Sequence, residues 1–346
     1  MTPKREGRRA SAFVTLATVA FLITACGGQT TSDADRPFVL ASGSSRLSCV
    51  VMQYMDSTAS ASAQGLSLTY TTTSTTTSSA LLAGLLSGDY DFIAPGTPTA
   101  IDAVSKGAPI KIIASITNTP DVLVIRKDVA ARLAVNRNAA QEDRVRALRG
   151  LHIGTAPAGT SPYNRLRAIA RTAGMDPDRD MTLLGVSDGS ALASGLRTGA
   201  YDAVWVAVGD TEPLIVDGTA EQWLSYPEGD FAELSEKALV VVAKTSTIEQ
   251  HPDVVDQLRA ALRESAEGIR SDPDSAGKLI KDRWFAAMSQ QAYDIAWRSG
   301  KLMAPADIDF TRDDLARSQR IVALSGDSNT PVDYAQLVAK QAQGTK

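Results

Sequence analysis

Four hydroxyl-rich segments stand out as residues that could bind a ligand. Each lies where a predicted strand ends or a predicted helix begins. Hydroxyl groups donate hydrogen bonds to oxyanions, and helix N-termini add unpaired N–H groups with about half a positive charge. The segments therefore predict an anion-binding site, with ordinary helix capping as the alternative for each hydroxyl. The candidates are Ser42, Ser44, Ser45, Arg46, Thr76, Thr77, Ser78, Thr97, Thr160 and Ser161.

Charged and aromatic residues near these segments suggest further contacts. Arg46 would add a forked donor for a carboxylate or sulfonate, or is an ordinary surface arginine. Trp205 offers a face for stacking, and Asp210 and Glu212 offer carboxylates for a ligand amine. A buried tryptophan and solvated acids are the alternative. Asp202, at the start of the strand that holds Trp205, is expected to have a structural role.

Length and composition narrow the function classes. The 346 residues suffice for two domains, and a net charge of −4 gives no basic surface for nucleic acid. Two histidines and two cysteines are too few for a zinc site built from several such ligands. The sequence contains no dinucleotide loop, phosphate loop or nucleophile elbow. We therefore predict a binding protein without catalytic residues, metal or cofactor, although spacing alone leaves a two-carboxylate hydrolase open.

The N-terminal residues have the features of an export signal. A basic start precedes an apolar run, Ala12–Ile23, which is too short to cross a membrane. The run ends in Ile23–Cys26, which resembles the lipobox of bacterial lipoproteins; an ordinary signal with a chance cysteine is the alternative. The resemblance implies a signal peptide over residues 1–25, an acyl group such as palmitate on Cys26, and a polar tether over 26–36. It also implies anchoring on the extracytoplasmic face of the cell membrane.

Strand-like and helical runs alternate until about residue 244, after which the pattern is helical. This alternation predicts α/β lobes with largely parallel sheets, on which the helical tail must pack. The strand-like runs are Phe38–Ala41, Leu66–Thr71, Phe92–Ala94, Ile110–Ser115, Val122–Arg126, His152–Thr155, Met181–Gly185, Ala203–Val206 and Leu239–Ala243. The tail helices are predicted at Pro252–Arg270, Asp274–Trp284, Ser289–Ser299, Arg312–Leu324 and Pro331–Gln343.

One internal similarity indicates how the lobes are related. The segment Leu85–Phe92 (LLSGDYDF) is echoed by Leu196–Ala203 (LRTGAYDA). In both, a helix ends on a glycine suited to a left-handed cap, and a strand begins after an aspartate. A chance match of a common joint is the alternative. Two such units predict two lobes of similar build, with a ligand site beyond the carboxyl ends of their strands.

Long stretches of the sequence resemble a known family. They are similar to the nitrate/sulfonate/taurine-type solute-binding proteins of ABC importers, a group that includes binders of thiamine-pyrimidine precursors. The matching stretches are Leu81–Ile116, Leu148–Val206, Leu239–Ile269 and Ala306–Asp314. The resemblance implies a two-lobe, periplasmic-binding-protein-like type II α/β fold with two hinge crossovers, near residues 118 and 245, and a helical C-terminal tail. Lobe 1 would comprise residues 37–118 plus 245–346, and lobe 2 residues 119–244.

The resemblance also implies a function. A monomeric lipoprotein would capture a small organic or oxyanion ligand between the lobes and deliver it to the permease and ATPase subunits of an ABC importer. The same hydroxyl-rich segments and the residues from Trp205 to Asp210 would form the ligand loops. Threonines replace a usually glycine-rich stretch at residues 72–77, and an additional helix is expected within 132–149. A ligand sensor or accessory lipoprotein on the same fold is the alternative.

Overall fold

A computed structural model describes residues 36–43, 46–73, 78–328 and 331–344. The predicted signal peptide and lipid-bearing Cys26 lie outside these residues. None of the described helices combines the length and apolar character that crossing a membrane requires.

Strands and helices alternate through most of the described chain. The strands are β1 (Phe38–Ser42), β2 (Leu68–Thr72), β3 (Phe92–Ala94), β4 (Ile110–Asn118), β5 (Asp121–Arg126), β6 (His152–Thr155), β7 (Thr182–Gly185), β8 (Ala203–Ala207), β9 (Ala220–Ser225) and β10 (Lys237–Lys244). The helices before β10 are α1 (Val50–Thr58), α2 (Ser60–Ala63), α3 (Ser78–Ser87), α4 (Thr97–Ser105), α5 (Lys127–Ala130), α6 (Gln141–Arg146), α7 (Ser161–Thr172), α8 (Gly189–Thr198) and α9 (Glu212–Val216). The tail contains α10 (Thr245–Gln250), α11 (Pro252–Ser271), α12 (Pro273–Trp284), α13 (Gln290–Gly300), α14 (Arg312–Ser325) and α15 (Tyr334–Leu337).

The strands form two five-stranded sheets of the same design. The first has the order β2-β1-β3-β10-β4 and the second the order β7-β6-β8-β5-β9. In each, three neighbouring strands are parallel and the last two pair antiparallel. The predicted two-lobe α/β fold is therefore confirmed. The sequence pattern missed β9 and overextended the last helix, which is only α15 followed by a short 3-10 turn.

The internal similarity corresponds to one repeated local structure. The glycines that follow α3 and α8 have φ angles of 94° and 82°, so they end the helices in the left-handed conformation. The Asp91 carboxylate accepts a hydrogen bond from the Val39 amide at 2.9 Å, and Asp202 accepts one from the His152 amide at 2.9 Å. Each aspartate thus ties the start of its strand to the neighbouring parallel strand. The expected structural role of Asp202 is confirmed.

The position of β10 corrects the expected lobe boundary. The expectation assigned residues 119–244 to lobe 2, but β10 pairs with β3 and β4 in the first sheet. Its central residues are buried, and such an apolar strand needs neighbours on both sides. The chain therefore returns to the first sheet between Ser225 and Lys237, before the crossover expected near residue 245.

The sequence predicts that the helical tail belongs to lobe 1, but in the structure part of the tail packs on the second lobe. Helix α14 packs on α7, and Ile321 lies in the hydrophobic core on that face of the second sheet. Arg167 and Arg171 donate hydrogen bonds to the carbonyls of Ser325 and Leu324, both at 2.8 Å. The sequence shows which face of this helix is apolar but not which lobe covers it.

A buried ion cluster joins the two crossovers to α7 and α14. We call Asp121, Arg165, Glu236 and Ser318 the hinge cluster. Arg165 donates to Asp121 and, at 2.8 Å, to Glu236, whose carboxylate also accepts the Ser318 hydroxyl. The Arg165 and Glu236 side chains are 2% and 1% exposed. Although burial opposes it, the neighbouring carboxylates raise the pKa of Arg165, so this arginine stays charged.

Candidate functional site

The loops at the carboxyl ends of the parallel strands meet between the two sheets. Arg46 follows β1, and Asp210 follows β8. A guanidinium nitrogen of Arg46 lies 3.7 Å from a carboxylate oxygen of Asp210. The Gly96 amide, after β3, donates to the Ser78 hydroxyl at 3.1 Å. A Cβ placed on Gly96 would lie 3.4 Å from the Ser161 hydroxyl at the start of α7. We call this meeting point of loops from both lobes the cleft.

Most of the predicted hydroxyls that the structure describes already have partners within the protein. Ser42 and Thr97 are fully buried; the Ser42 hydroxyl lies 2.8 Å from the Tyr70 hydroxyl, and Thr97 donates to the carbonyl of the first residue of β10. The Thr160 hydroxyl donates to a carbonyl three residues earlier at 2.6 Å. These groups shape the loops. Ser161 is half-buried, and Ser44, Ser45, Thr76 and Thr77 lie outside the described residues.

Trp205 does not present the stacking face that the sequence suggested. Its side chain is 1% exposed and packs edge-on against Tyr226, with ring centroids 5.7 Å apart. The cause is strand alternation, which turns Trp205 toward the core beside Leu123 of β5. Its indole N–H has no hydrogen-bond partner among the described residues.

The two acids after β8 have different environments. Burial raises the pKa of Asp210, with Arg46 opposing, and the Asp210 Oδ2 atom has no hydrogen-bond partner among the described residues. Glu212 is turned toward its own loop, where its carboxylate accepts the amides of Gly209 and Thr211 at 3.0 Å each. Burial raises the pKa of Glu212 to about 7, despite those amides. Asp210 can thus face a ligand, while Glu212 holds the loop that carries it.

A glycine at the start of α8 makes room for Asp210. A Cβ on Gly189 would overlap the Asp210 carboxylate. The preceding residue, Asp188, caps α8 by accepting the Ser190 amide at 2.7 Å, and hydrogen bonds from the Ser190 hydroxyl and amide lower the pKa of Asp188. Neither position is among the residues predicted from the sequence, although an aspartate followed by glycine and serine after a strand is a recognisable start of a helix.

The sequence matches one family over more than half its length. Residues 61–276 match the model of the NMT1/THI5-like family. None of the curated proteins is significantly similar to it in sequence.

Several solved structures share the fold. One is the ligand-binding component of an ABC-type import system from Staphylococcus aureus, with a TM-score of 0.68, 14% identity, and coverage of 88% of this chain and 96% of that one. The periplasmic aliphatic sulphonate binding protein of Escherichia coli has a TM-score of 0.62 and 15% identity, covering 84% and 91%. The periplasmic nitrate-binding protein of Synechocystis PCC 6803 has a TM-score of 0.60 and 14% identity, covering 75% and 69%.

Proposed function

The chain belongs to the NMT1/THI5-like family, and from that premise we propose that it is an extracytoplasmic solute-binding protein of an ABC importer. It captures a small ligand between its two lobes and delivers it to a membrane permease. Similar structures include ligand-binding components of such importers, which supports this role over a catalytic one.

The observation that carries the proposal is the contact between loops of the two lobes. Arg46 faces Asp210 at 3.7 Å, a distance longer than a hydrogen bond, and the Asp210 Oδ2 atom lacks a hydrogen-bond partner among the described residues. A ligand that enters here contacts both lobes at once. Binding therefore favours the closed arrangement, which is the form that a permease must distinguish from the open one.

Two helix starts favour a ligand that carries an oxyanion. Helices α4 and α7 begin at the cleft, one on each sheet, and neither start has a side-chain cap. Their dipoles and the Arg46 guanidinium attract a negative group such as sulfonate or nitrate. Asp210 suits an amine on the same ligand, as in taurine.

The N-terminal segment supports anchoring by a lipid. The Ile23–Cys26 sequence resembles a lipobox, so we propose that Cys26 carries the acyl group that holds a monomeric binding domain at the membrane. Replacing Cys26 by Ser should release the protein into the soluble fraction of cells. Membrane retention of this variant would contradict the lipid anchor and leave the binding function open.

Ligand binding is tested with purified full-length protein and a panel of nitrate, taurine, alkanesulfonates, phosphonates and pyrimidines. A ligand at about 100 times its Kd stabilises by about 2.7 kcal/mol, which shifts Tm by several degrees. For a ligand that binds, Arg46→Met should weaken affinity more than tenfold, because a hydrogen bond to a charged group contributes about 1.5–3 kcal/mol. The matched control is Arg197→Met, which removes an arginine from an exposed pair with Asp217.

Unchanged affinity in Arg46→Met would place the ligand elsewhere, and a folded protein that binds no panel member would contradict this ligand class. Uptake separates transport from the alternative, a ligand sensor or accessory lipoprotein on the same fold. Cells that lack the protein should lose import of the identified ligand; normal import would favour the sensor.

A further inference from the structure

A cavity lies beside α14, next to the loops of the cleft. It has a volume of about 270 Å³ and is lined by one face of α4, the start of α7, and α14 with the turn after it. None of the candidate cleft residues lines it. Because α4 packs on the first sheet and α7 on the second, the walls of this α14 cavity come from both lobes.

The inner wall of the α14 cavity contains a hydrogen-bonding group without a partner. Asn164, in the first turn of α7, is 5% exposed and lines the cavity. Its side-chain oxygen has no hydrogen-bond partner among the described residues. Buried amide oxygens are nearly always hydrogen-bonded in folded proteins. The cavity is therefore expected to hold a molecule that donates an N–H or O–H group to Asn164.

The charges around the α14 cavity favour a cation. Asp102 of α4 and Asp327 after α14 line it, whereas no lysine, arginine or histidine does. Lys106 pairs with Asp102 at 2.8 Å, but both side chains are more than half exposed, so water screens this pair. An anion would meet two full negative charges, whereas the starts of α4 and α7 in the lining carry only partial positive charge.

Size and ligand chemistry narrow the kind of cation. The described residues contain no group of three or more His, Cys, Asp or Glu side chains arranged to hold a metal ion. The volume is just below the range for drug-sized small-molecule sites, so the occupant must be small. A small organic cation with N–H groups fits the size, the charge and the acceptor on Asn164.

We propose that the α14 cavity binds a small primary ammonium compound. The ammonium group donates to the Asn164 side chain, and its charge is balanced by Asp102 and Asp327. The site adjoins the solute cleft but is lined by different residues, and the proposal does not depend on what the cleft binds. Because both lobes supply its walls, its occupant favours the arrangement in which α4 and α7 lie close together.

The test is calorimetric titration of full-length protein with three probes. Propylammonium carries the proposed group, tetramethylammonium has the same charge without N–H donors, and propanesulfonate carries the opposite charge. We expect propylammonium to bind, tetramethylammonium to bind at least tenfold more weakly, and propanesulfonate to leave this site empty. An absence of propylammonium binding at millimolar concentration, or equal binding of tetramethylammonium, would overturn the proposal.

Variants locate the bound ammonium. Asn164→Leu should weaken propylammonium binding at least tenfold, and the double change Asp102→Asn with Asp327→Asn about fivefold, because these carboxylates are partly screened. The exposed positions keep the test valid if the buried variant fails to fold. Asp313→Asn, on α14 but outside the cavity lining, is the matched control and should bind normally.

The cleft variant separates this proposal from the proposed function. Arg46→Met should leave propylammonium binding unchanged while it weakens the cleft ligand. Loss of propylammonium binding in Arg46→Met, or normal binding in the cavity variants, would place the amine outside the α14 cavity and overturn the inference. Failure of every solute in the panel would contradict the cleft function alone.

Discussion

Two ion clusters connect the lobes, and they differ in how closely their charges pair and how deeply they are buried. In each, one carboxylate oxygen, Asp121 Oδ1 or Asp210 Oδ2, has no hydrogen-bond partner among the described residues. In the hinge cluster, Arg165 bonds both Asp121 and Glu236, and these side chains are 1–2% exposed. In the cleft, Arg46 and Asp210 are 3.7 Å apart, and their side chains are 32% and 20% exposed. The difference indicates that the hinge cluster holds the chain crossovers together, whereas the longer and more exposed cleft pair is the one that we propose a ligand contacts.

The strongest test of this comparison removes the arginine of the hinge cluster. Arg165→Met leaves two buried carboxylates without their cation, so we expect the free energy of unfolding to fall by about 3–5 kcal/mol. Urea unfolding measures this loss. Arg197→Met, which breaks an exposed pair, should cost at most about 1 kcal/mol. Equal effects of the two changes would show that the hinge cluster has no special role.

The next effect is a pH dependence that originates at the cleft. Glu212 has a pKa of about 7 in the folded protein and a usual value of 4.5, so between these values the folded state binds more protons than the unfolded state. Its contribution to stability is therefore full below pH 4.5 and is lost as pH rises through 7, on the order of 3 kcal/mol in all. Asp210 acts in the same direction.

Urea unfolding at several pH values, compared between wild type and Glu212→Gln, isolates this contribution. The variant cannot titrate and should show a flatter profile over that window. Identical profiles would mean that Glu212 is not protonated in the folded protein near neutral pH.

The smallest effect is expected at Asp210, where replacing the aspartate by asparagine should change stability in the opposite direction from the same change in the hinge cluster. Asp210→Asn removes a half-buried charge whose Oδ2 atom has no hydrogen-bond partner among the described residues, so we expect it to stabilise the ligand-free protein by about 1 kcal/mol while weakening ligand binding. Asp121→Asn removes a charge that Arg165 needs and should destabilise. Thermal unfolding without ligand gives both signs; destabilisation by Asp210→Asn would show that the cleft pair is structural.

Local sequence patterns predicted the repeated unit and the meeting of the loops. Gly88 and Gly199, each followed by an aspartate that begins a strand, define a structure that depends on only a few neighbouring residues. Within each sheet, the loops after β1 and β3 and those after β6 and β8 lie together because carboxyl ends of parallel strands share one edge of the sheet.

Features that depend on distant packing were not predictable from local pattern. The Trp205 side chain lies on the face of its sheet that packs in the core with α7 residues. This side of the sheet is set by the register of β8, which the sequence alone does not give. The Thr97 hydroxyl donates to a carbonyl of β10, a strand that the sequence-based boundary placed in the other lobe. The hydroxyls were recognised correctly as residues at loop ends, but their partners come from elsewhere in the chain.

The docking of α14 on α7 has a consequence for the order of synthesis. All strands of the second sheet have been synthesised once β9 leaves the ribosome. Ile321 lies in the core of that lobe, yet it is synthesised only after β10 and most of the helical tail. Until then α7 exposes the apolar surface that α14 will cover. While the chain is being synthesised, this surface must therefore be kept from other contacts, for example by chaperone binding. A truncation that removes α14 should likewise destabilise the second lobe, although that lobe is encoded earlier in the sequence.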